Sequence, residues 1–296
     1  MSIDCLVIGG GPAGLMAAIY LARFRRRVWL LDAGASRAAL IPRSHNVPGF
    51  AHGLSGSELI ERMSVQLTEL GVTCIAAEVT GLARTSDGFH ARWDGGEADA
   101  AVVALACGIV DLHPPFDDWR PAVADGLLRY CPVCDAYEAT DRRIGVVGPL
   151  SHAASKALFL RGYSRDVTLL ATRQDAEKPT LAQLSDAGVK IVEALGVRLR
   201  REGARLEAVL ASGDTPGFDV VYPTMGARVR SQLALSLGAD HTEEGYLRVD
   251  DHQRTSVPGL YGIGDMVTDL HQISVAFGHA AVAACAIHNS LPRRLA

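Results

Sequence analysis

The sequence predicts an α/β protein built from two copies of one unit, a strand followed by a glycine turn, a helix and a second strand. Three observations carry that reading. Apolar runs of strand length alternate with stretches of helical periodicity, as in a mostly parallel sheet. A glycine-rich turn, Gly9–Gly14, follows the first apolar run and opens the first helical stretch. The same order restarts at Ile144-Gly145-Val146-Val147-Gly148. With 296 residues, 48% of them hydrophobic, the chain can bury one large core or two ordinary ones.

Strands are expected near 4–9, 28–32, 72–79 and 101–106, with a hairpin over 82–94 turning at Asp87-Gly88. The first helix is expected from Gly11 to about Phe24, with Leu15, Ala18, Ile19 and Ala22 at helical spacing. In the second unit a helix from about Ser151 to Leu160 leads to the strand Val167–Leu170. Two crossings are expected, at His113–Asp118 and at the polar, glycine-bearing Asp240–Gly245. The domains read as 1–115 with 245–296, and 116–244 between them.

Composition excludes several classes. A formal net charge of −4 and 21% charged residues do not suit nucleic-acid or membrane-surface binding. The basic run Arg23, Arg25, Arg26 and Arg27 falls at the end of the first helix and reads as a solvated complement to its dipole. The apolar stretch Ile273–Ile287 is interrupted by Gly278-His279 and reads as too short for a bilayer. The sequence begins Met1-Ser2-Ile3-Asp4 and enters the apolar run Cys5-Leu6-Val7-Ile8 at once, which reads as leaving no leader to cleave, so the expected location is the cytoplasm. Cys5, Cys74, Cys107 and Cys285 are scattered among apolar neighbours and read as buried core residues.

Gly9-Gly10-Gly11-Pro12-Ala13-Gly14 fits the G-x-G-x-x-G pattern. Gly9 permits the tight turn, Gly11 admits a pyrophosphate to the backbone, and Gly14 lets helix and strand pack closely. The helix start supplies N–H groups to phosphate, and Asp32 at the end of the second strand can bond ribose hydroxyls. Tyr130-Cys131-Pro132-Val133-Cys134-Asp135 holds two thiols that can close a disulfide within one turn. At a helix start one of them gains a reactive thiolate, and Asp135 is placed to move a proton. A zinc site needs two more ligands, and no second C-x-x-C or nearby Cys/His group appears. A structural disulfide in the cytoplasm and an accidental pair are the other readings.

These pieces, in this order, resemble the low-molecular-weight thioredoxin reductase family over nearly the whole chain. They include Leu105-Ala106-Cys107-Gly108 and Gly259-Leu260-Tyr261-Gly262-Ile263-Gly264-Asp265, followed by His271-Gln272-Ile273. The resemblance implies two Rossmann-like dinucleotide-binding domains, an FAD domain with an inserted NAD(P)H-like domain, in a homodimer. It implies that Cys134 faces the flavin, Cys131 exchanges with a substrate disulfide, and Asp135 handles the proton. It further implies that Asp265 binds the ribityl and phosphate region, that Gln272 and Ile273 touch the ring, and that His45 and Asn46 line the flavin. Ala33, Arg37, Val79, Cys107, Gly108, Gly264 and His271 complete the implied FAD contacts.

The second site departs from that family. Its loop reads Gly148-Pro149-Leu150-Ser151-His152-Ala153, where the resemblance implies G-x-G-x-x-A for NADPH. Leu150 is expected to fill the space a pyrophosphate needs, and Pro149 removes a donor. Of the arginine cluster that would clamp a 2′-phosphate only Arg173 remains, and Glu177 adds the wrong charge. The chain therefore looks like the branches that do not use NAD(P)H. Its second domain is expected either to be empty or to hold another dinucleotide such as FAD. His279 reads as a dithiol-side base or as an ordinary buried histidine. Four functions stay open. One is an FAD-dependent exchange between the cysteine pair and a thioredoxin-like protein or small molecule, with an unidentified electron donor or acceptor. The others are an NADPH-dependent thioredoxin reductase, a dithiol oxidase using oxygen, and a redox sensor without turnover.

Overall fold

The computed structural model describes residues 3–175 and 177–293, which divide into two compact units. The first comprises 1–39, 54–110 and 228–296, the second 40–53 and 111–227. In chain order the first unit begins with β1 (Ile3–Ile8), α1 (Pro12–Arg23), β2 (Val28–Asp32), α2 (Gly56–Glu69) and β3 (Thr73–Ala76). It continues through β4 (Val79–Thr85), β5 (Gly88–Trp93) and β6 (Gly96–Leu105) to the crossing strand β7 (Ile109–Asp111). The second unit follows with α3 (Trp119–Ala124), α4 (Pro132–Asp135), β8 (Ile144–Pro149), α5 (Leu150–Leu160), β9 (Val167–Arg173), α6 (Lys178–Asp186) and β10 (Lys190–Glu193). It closes with β11 (Arg198–Glu202), β12 (Arg205–Val209), β13 (Gly217–Phe218) and β14 (Val220–Pro223). The chain returns through β15 (Ala227–Val229), α7 (Gln232–Leu235), β16 (Leu260–Gly262) and α8 (Ile273–Ser290).

In the first unit β3, β2, β1 and β6 lie side by side in parallel, and β16 joins β6. β5 and β4 continue from β6 in antiparallel pairing. All six residues of β1 are buried, as a strand covered on both faces demands. The expected strand 72–79 is two strands: the pairing with β2 stops at Ala76, and the Ala77 N–H turns back to the Asp32 carbonyl at 3.0 Å. In the second unit β10, β9, β8 and β14 form a parallel sheet, and β11, β12 and β13 an antiparallel one.

Three expectations change. The return to the first unit comes at Ala227/Arg228 rather than near residue 245. The polar stretch 240–245 that resembled a linker is folded back on itself. Thr242 N–H bonds Tyr246 O at 2.8 Å, and Arg248 N–H bonds Asp240 O at 2.9 Å. Arg26 is not solvated but 6% exposed. Its guanidinium donates to the carbonyls of His288 and Pro292 at 2.8 Å each and to His288 Nδ1 at 3.1 Å, so it complements the end of α8 rather than α1. Finally, α8 runs 18 residues straight through Gly278 and His279, long and apolar enough by length and composition to cross a membrane. One side of it, including Ala276, Ala280, Ala283, Ala284 and Ile287, is buried, and α8 packs along α1.

Candidate active site

Cys131 and Cys134 form a disulfide, with their Cα atoms 5.3 Å apart. The sequence makes this turn locally. Pro132 takes the first helical position, where its missing N–H has no partner to lose. The Cys134 N–H then bonds the Cys131 carbonyl at 2.9 Å. The helix is only four residues long, so its start offers the thiolate little of a macrodipole. Both cysteines are half-buried, while Val133 between them is 57% exposed and Tyr137 is 79% exposed.

Asp135 closes the turn, and its surroundings set its proton affinity. Tyr222 Oη donates to Oδ1 at 2.9 Å. Arg129 Nη1 donates to the backbone carbonyl of Asp135 at 2.8 Å and lies 3.9 Å from Oδ2. Burial outweighs both and pushes the carboxyl up to about 6, with Glu138 adding a smaller upward push. A group that titrates there can give or take a proton near neutrality. Glu138 itself pairs with His45, Nδ1 to Oε1 at 2.9 Å.

In the first unit the glycine loop has the shape of a phosphate cradle. Gly9 has φ +110, and a Cβ there would lie 2.4 Å from the Ala106 carbonyl oxygen. A Cβ on Gly14 would fall 1.8 Å from the Gly9 oxygen, so helix and strand touch at this point. At Gly11 a Cβ would meet only the Ser36 side chain, at 3.1 Å and beyond, so the loop is open where the backbone must face a ligand. Gly11 caps α1 without a side chain, Pro12 opens the helix, and no acid sits in the first turn. Asp32 Oδ1 accepts the Gly10 N–H at 2.9 Å, which anchors the acid beside the loop.

The other predicted residues of this unit gather in part. Arg37 Nη1 is 3.9 Å from Asp265 Oδ2. Gly264, with φ +73, is close enough to Ala13 that a Cβ would come within 2.9 Å of its methyl. Cys107 Sγ donates to the Ile8 carbonyl at 3.5 Å, and burial pushes its thiol up to about 11. Gly108 follows at φ +66. His271 Nε2 lies 3.2 Å from the Tyr246 hydroxyl, while Gln272 caps α8 and Ile273 begins it. Val79 is buried and Ala33 exposed. His45 and Asn46 are not part of this unit. They belong to the segment 40–53 of the second, where His45 pairs with Glu138 and Asn46 Oδ1 accepts from Ser44 at 2.8 Å.

Arg230 is a residue the sequence reading missed. Its Nη1 donates to the carbonyls of Ala35 at 3.0 Å and Cys107 at 3.4 Å, tying together the loops after β2 and β6. No local pattern marks it, because its partners lie 195 and 123 residues away. Two of the four other cysteines are also misread: Cys74 and Cys285 are exposed. Cys74 lies on β3, the edge of its sheet, and Cys285 on the outer side of α8.

The second strand–turn–helix differs from the first, but not through the Leu150 side chain. Leu150 does not fill the cradle. Its side chain is 1% exposed and packs in the core with Ile144, Val146 and Ala154. The start of α5 is instead met by an acid. Ser151 donates its backbone N–H to Asp175 Oδ1 and its hydroxyl to Oδ2, both at 2.9 Å. These bonds hold the Asp175 carboxyl below the usual carboxylate range. A carboxylate thus takes an N–H inside the first turn of α5, whereas in the first unit Asp32 takes the N–H of Gly10, before α1 begins.

A protein family described as pyridine nucleotide-disulphide oxidoreductase matches residues 3–280. A thioredoxin reductase of Peptoclostridium litorale is 29% identical over 307 residues, covering 95% of this chain and 94% of its own. The crystal structure of HlmI superposes with a TM-score of 0.89 at 31% identity, over 97% of this chain and 92% of that one. The thioredoxin reductase from Streptococcus pyogenes MGAS5005 superposes with a TM-score of 0.88 at 26% identity, over 97% of each chain.

Proposed function

The chain belongs to the pyridine nucleotide-disulphide oxidoreductase family, and on that premise we propose that it is an FAD-dependent enzyme exchanging electrons between flavin and the Cys131–Cys134 pair. The observation that carries the reading is that pair, half-buried beside a carboxyl that titrates at about 6. The first unit's loop fits a dinucleotide: open at Gly11, bare of acids at the helix start, with Asp32, Arg37, Asp265 and the Gln272–Ile273 turn as its remaining contacts. FAD held there supplies a two-electron carrier for the disulfide.

The chain's own residues account for the exchange. Reduction of the pair takes two electrons and two protons and leaves two thiols. Cys131 gives its proton to Asp135 and, as thiolate, attacks a substrate disulfide and releases one substrate sulfur, which takes that proton back from Asp135. The Cys134 thiol then attacks Cys131, its own proton passing to the second substrate sulfur as that sulfur leaves, and the disulfide is restored. Reversal of the same steps oxidises a dithiol. The partner is a thioredoxin-like protein or a small disulfide, as the names of the relatives suggest. The working form is a homodimer in the cytoplasm.

The finer reading is that NADPH is not the reductant. Asp175 supports it: a pyrophosphate at the start of α5 would meet a carboxylate already bonded to Ser151. Among the residues that would clamp a 2′-phosphate, Arg173 is shared with Asp175 at 4.0 Å. A second FAD in this unit would meet the same carboxylate, which favours an empty second site. The residues here do not fit the nucleotide.

The test is an anaerobic absorbance titration of the purified protein with NADPH, NADH and then dithiothreitol. Bleaching by the dithiol alone is the expected result, and a Cys134→Ser variant should keep its flavin but lose exchange. Rapid bleaching by NADPH would instead make the chain an ordinary NADPH-dependent reductase. Exchange surviving in the Ser variant would remove the cysteine pair from the reaction.

A further inference from the structure

Asp135, next to the cysteine pair, has a hydrogen-bond partner that lies 87 residues from it in sequence. Tyr222 sits on β14, which pairs in parallel with β8, Tyr222 opposite Val146. Its side chain is 0% exposed, a large polar residue enclosed in an apolar core. A buried hydroxyl needs a partner, and this one has Asp135: Oδ1 at 2.9 Å and the carbonyl oxygen at 3.3 Å. A phenylalanine would fill the same space without that demand.

The backbone leading to the cysteines explains why the two meet. Residues 127–129 lie against β14, with Val221 N–H bonded to Leu127 O at 2.8 Å and Arg129 N–H to Val221 O at 2.9 Å. That pairing fixes the chain two residues before Cys131 and delivers Asp135 back over β14. Arg129 then donates to the Asp135 carbonyl, so the backbone and side chain of Asp135 are each held from a different element.

We infer that Tyr222 is a positioning residue for the Cys131–Cys134 reaction: its buried hydroxyl holds the Asp135 carboxylate in one orientation and sets the pH at which that carboxyl exchanges its proton. This rests on the proposed role of Asp135 in the exchange. The groups facing the carboxyl are Tyr222 and Arg129, which favour its ionised form, and Glu138, which opposes it. Glu138 is itself paired with His45. A hydroxyl that donates to a carboxylate stabilises the ionised form, so removing it must raise the pH of titration. Arg129 and, to a smaller extent, Tyr222 thereby oppose the upward push of burial on Asp135.

The experiment compares wild type, Tyr222→Phe, and a protein with 3-fluorotyrosine at position 222, all as full-length oxidised flavoprotein. The more acidic fluorophenol donates more strongly while keeping the tyrosine shape. Asp135 is followed by 13C NMR of labelled aspartate side chains, with Asp135→Asn identifying the signal. Tyr222→Phe should raise its titration midpoint by about one pH unit, and the fluorotyrosine should lower it. The pH profile for exchange of the reduced pair with a chromogenic aromatic disulfide should move with it in both proteins. An unmoved midpoint, or movement in the same direction in both proteins, overturns the coupling. A moved midpoint with an unmoved exchange profile overturns the positioning role. An Asp135→Asn protein that exchanges with an unchanged profile sinks the proposed role of Asp135 itself, a failure the NMR midpoints distinguish from failure of the Tyr222 contact.

Discussion

Replacing Asp135 by Asn should flatten part of the pH dependence of stability in the second unit. The carboxyl is raised from 3.8 to about 6, with burial as the largest cause. Its side chain is 27% exposed, so solvent screens the effect only in part. Below pH 3.8 the group is protonated in the folded and unfolded chains alike and adds no difference between them. Between 3.8 and 6 the unfolded chain releases its proton while the folded chain keeps it, and stability falls as pH rises. Above 6 the loss is complete, at about 3 kcal/mol as an upper bound. Asn carries no charge and can still accept from Tyr222, so its folded form avoids the loss. Wild type and variant should therefore have closely similar stability near pH 4, and the variant should lead by up to about 3 kcal/mol at pH 7.5. Hydrogen exchange under increasing urea, read on peptides spanning 128–149 with the disulfide intact, measures this locally. A difference between the two proteins that stays constant from pH 4 to 7.5 would refute the assignment of a raised carboxyl.

Two further outcomes follow from particular contacts. Leu150→Ala should destabilise the second unit by about 2–5 kcal/mol and leave pyridine-nucleotide binding unchanged, because the side chain fills the core rather than the cradle; tight NADPH binding by this variant, measured by calorimetry, would restore the cradle-filling explanation. In the native oxidised protein iodoacetamide should label Cys74 and Cys285 and spare Cys5 and Cys107, which mass spectrometry of the digested protein would resolve; burial holds the Cys5 and Cys107 thiols far up and away from thiolate formation.

Much of the fold was legible in the sequence because its signals are local. The glycines at 9, 11 and 14 answer to a turn whose atoms would clash with any Cβ at Gly9 or Gly14, and that demand is written within six residues. The disulfide turn is likewise complete within Cys131–Cys134, with Pro132 setting the first helical position. Alternation of apolar strands and periodic helices pointed to the parallel strands at the centre of the two larger sheets, since each period depends only on the backbone geometry of its own segment. What failed were inferences about which distant parts of the chain meet. Leu150 turned into the core, Arg26 reached the far end of α8, and the polar stretch 240–245 folded into the first unit.

The sequence by itself determined that this chain carries two strand–glycine–helix units and one closely spaced cysteine pair. Only the tertiary structure decided what surrounds them. Tyr222 and Asp135 are 87 residues apart, Arg230 and Ala35 are 195 apart, and Asp175 meets Ser151 across 24. Propensity and spacing act over a turn or a strand. These polar contacts exist only because packing the sheets brings distant strand ends together, where a buried donor must find an acceptor.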